Sequence, residues 1–182
     1  MNKILTSMAA VVLLMFSNAV KADMPIAEAL ANVSDDTLRT CLTNATDGKV
    51  YAEQLTILRC GGRQGVIVAL DGLGAFTNLT YLLLIGHQIP DIDSLSGLTN
   101  LTFLNLTSNQ IQDIISLGGL TNLTSLNLRS NQIQNIDSLS GLTNLTFLNL
   151  VYNQIQNIDS LSGLTNLTSL SLENNEIQIL TA

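Results

Sequence analysis

A 17-residue segment recurs along this chain at a fixed interval of 22 residues. Its first clear copy, LTNLTFLNLTSNQIQDI, begins at Leu98, and further copies begin at Leu120, Leu142 and Leu164. A looser copy starts upstream, near Leu79. Seven apolar columns and one Asn column keep their register across the copies. A unit this short cannot bury its own apolar side chains, so neighbouring copies have to stack on one another.

The columns form the pattern L-x-x-L-x-L-x-x-N-x-I-x-x-I-x-x-L-x-x-L, which is typical of a leucine-rich repeat. The L-x-L positions, such as Leu82 and Leu84, alternate at the period of a β-strand. The later columns advance by three, which suits 3-10 or irregular turns. The sequence therefore predicts an α/β-type solenoid. We expect a leucine-rich repeat horseshoe with a parallel β-sheet on the concave face, a 3-10 or irregular convex side and a helical N-terminal cap.

Three segments follow from this pattern. Residues 1–22 have a positive start, a short apolar run and small residues at the end, which indicates a signal peptide. Residues 23–49 lack the repeat and space their apolar residues as helices do, with Ser34 as the expected N-cap of the second helix. Residues 50–182 form the leucine-rich repeat domain, with one degenerate and about five regular repeats.

The chain has two cysteines, Cys41 in the predicted cap and Cys60 in the strand of the degenerate repeat. Both face the first core layer in this arrangement. An exported protein meets oxidising conditions, so we expect a disulfide between them. The alternative is two buried free thiols that act as small apolar side chains.

Composition and charge exclude several classes of function. The formal net charge is −7, and Arg129 is the only basic residue from Leu79 onward. Clustered Lys and Arg are needed to bind nucleic acid, so no nucleic-acid partner is expected. No apolar run is long enough for a transmembrane anchor. His87, the only histidine, replaces the Asn of its column and lacks partners at ligand spacing, so we predict no catalytic residue, metal or cofactor.

The repeats resemble those of internalins, bacterial surface proteins that bind host receptors. The elements NQIQ(D/N)I and SL(S/G)GLTNL carry this resemblance, which covers about Leu55 to Leu180. It implies the repeat fold with a helical N-terminal cap, and a protein partner. The internalins carry an immunoglobulin-like domain after the repeats, and no residues of this sequence correspond to it.

One column of polar residues has a structural interpretation. An inward amide can bond the turn N–H and C=O groups that a tight bend leaves unpaired, so we predict a structural Asn ladder. Its members are Asn109, Asn131, Asn153 and Asn175. A second column, Asp93, Asp137 and Asp159, is expected to cap the return segments. A calcium ladder is the alternative for these carboxylates, although Ile115 interrupts the column.

The outward strand positions vary between repeats, as the positions of a binding surface do. One of them alternates between Phe and Ser, which a 44-residue duplication explains. Exposed aromatic rings among Asn and Ser suit protein binding. The predicted concave-face binding residues are Tyr81, Leu83, Phe103, Asn105, Asn127, Arg129, Phe147, Asn149, Tyr152 and Glu173. Tolerated surface variation after duplication is the alternative.

The sequence thus predicts an exported, non-catalytic protein-binding module, secreted to the extracellular space or the periplasm. A structural or assembly component of the cell envelope without a specific ligand is the alternative, and an enzyme is a distant third. The last repeat also has uncovered core columns, at Leu170, Leu172, Ile177 and Leu180. We expect these to favour a homodimer through the C-terminal repeat, since terminal repeats normally need a polar outer face.

Overall fold

The computed structural model describes residues 23–61 and 65–178. The predicted signal peptide lies outside the described residues. Six strands form one parallel sheet in chain order, β1 to β6. The strands are β1 Ile57–Gly61, β2 Tyr81–Ile85, β3 Phe103–Asn105, β4 Ser125–Asn127, β5 Phe147–Asn149 and β6 Ser169–Ser171. The predicted solenoid is confirmed.

The strand register follows the period of the sequence. Tyr81 pairs with Phe103, and each later step along the sheet again advances by 22 residues. The first step, from Ile57 to Tyr81, is 24 residues because the degenerate repeat is two residues longer. Side chains alternate along every strand, so the predicted Leu columns point inward. Leu82, Leu104 and their equivalents up to β5 are completely buried.

Short 3-10 helices form the return path on the opposite side of the core, as predicted. They span Ala52–Gln54, Leu73–Ala75, Asp93–Leu95, Ile115–Leu117, Asp137–Gly141 and Asp159–Leu161. The predicted capping role of the Asp93 column is wrong. Asp93 is the first helical residue, and its N–H is bonded by the side chain of Asp91, two residues earlier. In the later repeats the side chains of Asp113, Asn135 and Asn157 likewise accept the N–H two residues further on. Because the capping side chain comes from Asp113, the next helix can begin with Ile115 in place of an Asp.

The N-terminal cap consists of two helices, α1 Ile26–Ala31 and α2 Asp36–Ala45. The N-cap of α2 is Asp35 and not Ser34, because the Asp35 Oδ1 accepts the Leu38 N–H at 2.8 Å. Its other oxygen, Oδ2, accepts the Val68 N–H at 2.8 Å, so one carboxylate both caps the helix and holds it to the first repeat. Ser34 instead donates its hydroxyl to Asp71 at 2.8 Å.

A covalent bond and a close backbone contact also join the cap to the repeats. A disulfide links Cys41 of α2 to Cys60 of β1, which is the predicted pairing. At Gly72, φ is +81° and an added Cβ would lie 2.7 Å from the backbone carbonyl of Asn32. Only glycine combines this left-handed conformation with such a close approach.

Candidate functional site

The outward side of the sheet carries three rows of side chains, which we call the sheet face. The first row is Tyr81, Phe103, Ser125, Phe147 and Ser169; the second is Leu83, Asn105, Asn127, Asn149 and Ser171; the third is Ile85, Thr107, Arg129, Val151 and Glu173. Register pairing between neighbouring strands brings the first two rows into line. Nine of the ten predicted binding residues lie in these rows, and the tenth, Tyr152, follows the third row by one position.

Aromatic stacking organises the first row. The rings of Tyr81 and Phe103 stack with centroids 4.2 Å apart and planes 1° from parallel. The guanidinium of Arg59, which comes from the neighbouring strand β1, lies over the Tyr81 ring at 4.7 Å from its centroid. Such a cation–π contact is favourable, so the three side chains form an ordered stack. Sequence reasoning missed Arg59, although the alignment of Leu58 with Leu82 puts it on the outward side of β1.

The asparagines of the second row expose donors rather than acceptors. Asn105 accepts the Thr107 N–H at 3.0 Å through Oδ1, and Asn127 accepts the Arg129 N–H at 3.1 Å in the same way. Asn149 repeats the contact with the Val151 N–H at 3.1 Å. The amide Nδ2 atoms of these asparagines have no hydrogen-bond partner among residues 23–61 and 65–178. A ligand on this row would therefore have to supply acceptors.

In the third row, Arg129 is fixed by an aromatic ring. Its guanidinium lies over Tyr152, 4.6 Å from the ring centroid, and 49% of Tyr152 remains exposed. Tyr152 has φ +58°, a left-handed conformation that residues other than glycine rarely adopt. Val151 is only 6% exposed and offers little contact area, whereas Glu173 is exposed.

The Asn column has the geometry of a ladder that joins each repeat to the one before it. Asn131 Nδ2 donates to the carbonyls of Leu106 at 3.1 Å and Leu128 at 3.0 Å, and its Oδ1 accepts the Ile111 N–H at 3.2 Å. Asn109, Asn153 and Asn175 make the equivalent three bonds. Asn109, Asn131 and Asn153 are buried, so these contacts are structural and leave nothing for a ligand.

A second ladder was not anticipated. Asn122 donates from Nδ2 to the Thr99 carbonyl of the preceding repeat at 2.8 Å. The equivalent residues Asn78, Asn100, Asn144 and Asn166 make the same contact. These asparagines lie in the recurring T-N-L-T elements, and that repetition was the available signal in the sequence.

One flank of the solenoid has shallow depressions between neighbouring repeats. One of them, about 480 Å³ in volume, is lined by Gln112, Gln132, Gln134 and Ile115 among others. Gln112 donates to Gln132 at 3.1 Å, so much of its polar lining is already satisfied. Within the described ranges, no group of three or more His, Cys, Asp or Glu side chains is arranged to hold a metal. In the same part of the chain, no helix has the length and apolar character needed to cross a membrane.

The sheet ends at an apolar edge. Leu170 of β6 is 43% exposed, whereas its equivalents Leu148, Leu126 and Leu104 are completely buried. Leu172 and Ile177 are partly exposed for the same reason, since the described structure contains no layer that covers them. Leu180 lies outside the described residues.

Comparisons with known proteins agree with this geometry. A family model for leucine-rich repeats matches residues 77–119, 99–142, 121–155 and 143–182. The crystal structure of internalin C2 from Listeria monocytogenes is 32% identical with a TM-score of 0.78, over 91% of this chain and 74% of that one. Internalin F from the same organism is 31% identical with a TM-score of 0.74, over 91% of this chain and 49% of its own. No curated protein is a significant match.

A more distant similarity includes a bound partner. The ectodomain of the receptor kinase GASSHO1/SCHENGEN3 from Arabidopsis thaliana, in complex with CASPARIAN STRIP INTEGRITY FACTOR 2, is 29% identical with a TM-score of 0.61. The match covers 66% of this chain and 16% of the receptor. This chain thus spans about three quarters of one internalin structure and smaller parts of the other two proteins.

Proposed function

Because the chain belongs to the internalin-like leucine-rich repeat proteins, we propose that it is a non-catalytic module whose sheet face binds a protein partner. The observation that carries this proposal is the ordered stack of Arg59, Tyr81 and Phe103 beside a row of Asn side chains whose Nδ2 atoms are free to donate. Rigid aromatic rings lose little entropy on binding, and the free donors select a polar partner backbone or side chain. The plant receptor ectodomain, which is similar in fold and has a factor bound, supports a partner-binding role for a leucine-rich repeat domain.

Export is the second part of the proposal. Residues 1–22 have the composition of a signal peptide, and disulfides such as Cys41–Cys60 form and persist mainly in oxidising compartments. We propose secretion to the extracellular space or the periplasm, with removal of residues 1–22. Mass spectrometry of the mature N-terminus in the secreted fraction tests this step, and an intact Met1 in the cytoplasm would contradict it.

A structural or assembly role without a specific ligand is the second candidate. The exposed Leu170 in the last described strand favours it, because exposed apolar surface invites association. In that case the end of the solenoid, and not the sheet face, would make the essential contacts.

Capture from host and envelope extracts separates the two candidates. The baits are wild type, Phe103→Ala/Phe147→Ala on the sheet face, Leu170→Lys on the apolar edge, and Ile115→Ala as a control on the flank, where Ile115 is 75% exposed. Circular dichroism and a melting curve establish that each bait is folded. We expect the same protein band with wild type and Ile115→Ala, and loss of that band with the double variant. A band that survives the double variant and disappears with Leu170→Lys would favour assembly.

A further inference from the structure

The first row of the sheet face has a gap between two aromatic positions. The register pairs Phe103 with Ser125 and Ser125 with Phe147. Adjacent parallel strands lie about 4.8 Å apart, so Phe103 and Phe147 stand about 10 Å apart with only a serine between them. We call the space above Ser125, between these two residues, the Ser125 slot.

The width of this slot matches one aromatic ring. Tyr81 and Phe103, one strand apart, already stack at 4.2 Å with their planes 1° from parallel. A ring placed above Ser125 would meet Phe103 and Phe147 at about the same spacing, a distance at which aromatic rings attract. Ser125 is half-buried, and its hydroxyl makes no hydrogen bond within residues 23–61 and 65–178. The floor of the slot is therefore small and polar.

The polar groups beside the slot are donors and a positive charge. Two residues beyond Ser125, the Asn127 Oδ1 is occupied by the Arg129 N–H, which leaves the Asn127 Nδ2 to donate outward. Arg129 lies about 13 Å beyond Ser125 along the extended chain, a span of four residues. Its guanidinium is held over Tyr152 at 4.6 Å. Glu173, in the same row two strands away, would repel an acidic group that approached from that side.

We propose that the Ser125 slot binds one aromatic side chain of an extended segment of the protein partner. The same segment would present a carbonyl or carboxylate oxygen to Asn127 and an acidic residue, about four positions from the aromatic one, to Arg129. This inference rests on the proposed function and names the chemistry of the partner. A glycan could also lie against aromatic rings, but a gap of about 10 Å between two aromatic positions is the space that one flat ring needs to contact both.

The chain offers a substitution that fills the slot and a matched control. Ser125→Phe places a ring between Phe103 and Phe147, and the row already accepts Phe at both of those positions. Ser169→Phe makes the same chemical change in the same row, outside the slot. Melting curves establish that both variants fold.

Ligand-observed saturation-transfer NMR with N-acetyl-tyrosinamide tests the slot without knowledge of the partner. We expect ring signals with wild type and Ser169→Phe, and a signal at least about tenfold weaker with Ser125→Phe, which loses a complete aromatic contact. N-acetyl-leucinamide and methyl glucoside should give weaker signals than the tyrosine amide. Equal ring signals for all three proteins, or stronger binding of the glucoside, would overturn the inference.

The capture experiment then separates this inference from the proposed function. Loss of the partner with Ser125→Phe but not with Ser169→Phe supports the slot. If Phe103→Ala/Phe147→Ala loses the partner while Ser125→Phe retains it, the slot is wrong and the sheet face still binds. If none of these variants loses the partner, the proposed function itself is wrong.

Discussion

The Nδ1 atom of His87 accepts the backbone N–H of Ile67 at 3.2 Å. On the other side of the ring, Nε2 lies 3.2 Å from the Cys60 carbonyl oxygen. With Nδ1 as acceptor, Nε2 carries the proton and donates, so the imidazole bridges two repeats as an Asn amide does elsewhere. His87 is 5% exposed and is the first member of the ladder that continues with Asn109.

Replacement of His87 should therefore depend on what replaces it. His87→Ala leaves the Ile67 N–H and Cys60 carbonyl buried without a partner, at a cost of about 1–3 kcal/mol in the free energy of unfolding. His87→Asn restores the ladder side chain and should recover most of that loss. Urea denaturation of wild type, His87→Ala and His87→Asn measures the three free energies of unfolding. Equal stability of the Ala and Asn variants would show that the ring acts by packing alone.

The two ladders should differ in their contribution to stability. Asn131→Ala removes four side-chain hydrogen bonds from a buried site and should lower the free energy of unfolding by about 1–3 kcal/mol. Asn122→Ala removes one bond at an exposed site, where water can replace the donor, and should cost less than about 1 kcal/mol. Both leave the sheet face intact, so partner capture should not change. An unchanged denaturation midpoint for Asn131→Ala would contradict the structural role of the ladder.

Reduction of the disulfide should loosen the cap. The bond joins residues 19 apart in sequence, and closing such a loop contributes about 2–4 kcal/mol through the unfolded state. The urea midpoint of wild type should fall in dithiothreitol, whereas a Cys41→Ala/Cys60→Ala variant should show no dependence on the reductant. Two alkylatable thiols in the native secreted protein would show that the bond does not form.

Self-association through the last repeat stays a prediction. With Leu170 43% exposed, we expect wild type to form dimers as its concentration rises in sedimentation experiments. Leu170→Lys places a charge on the apolar edge and should keep the protein monomeric. The prediction is contradicted if wild type stays monomeric at every concentration while hydrogen exchange shows that residues 164–178 are protected. Association would then not be the cause of that protection.

The sequence predicted those parts of the fold that depend on periodicity. The Leu and Ile columns of the repeats could be placed because one strand period and one repeat length determine which side chains point inward. The residues that cap the helices were predicted less accurately. Asp35 and Asp91 lie within one or two residues of the predicted caps, and several acidic or hydroxyl residues near a helix start are chemically equivalent in sequence.

The candidate site was harder to predict, because its geometry depends on contacts between side chains of different repeats, which the sequence alone does not show. Arg59 was missed because it reaches Tyr81 diagonally from a degenerate repeat. The left-handed conformation of Tyr152 was missed because tyrosine is not a residue that indicates positive φ. The other repeats have Gly, Ser or Asn at this position. The alternation of Phe and Ser was visible in the sequence, but the proposal of a slot above Ser125 required the stacking geometry of Tyr81 and Phe103.

Hydroxyl-radical footprinting of the captured complex tests most directly whether the sheet face is the binding surface. Side-chain oxidation is measured by mass spectrometry in the free protein and in the complex. We predict that oxidation of Phe103, Phe147 and Tyr152 falls in the complex, while that of Ile115 on the flank does not change. Protection of Ile115 with no change at the three aromatic residues would contradict the account.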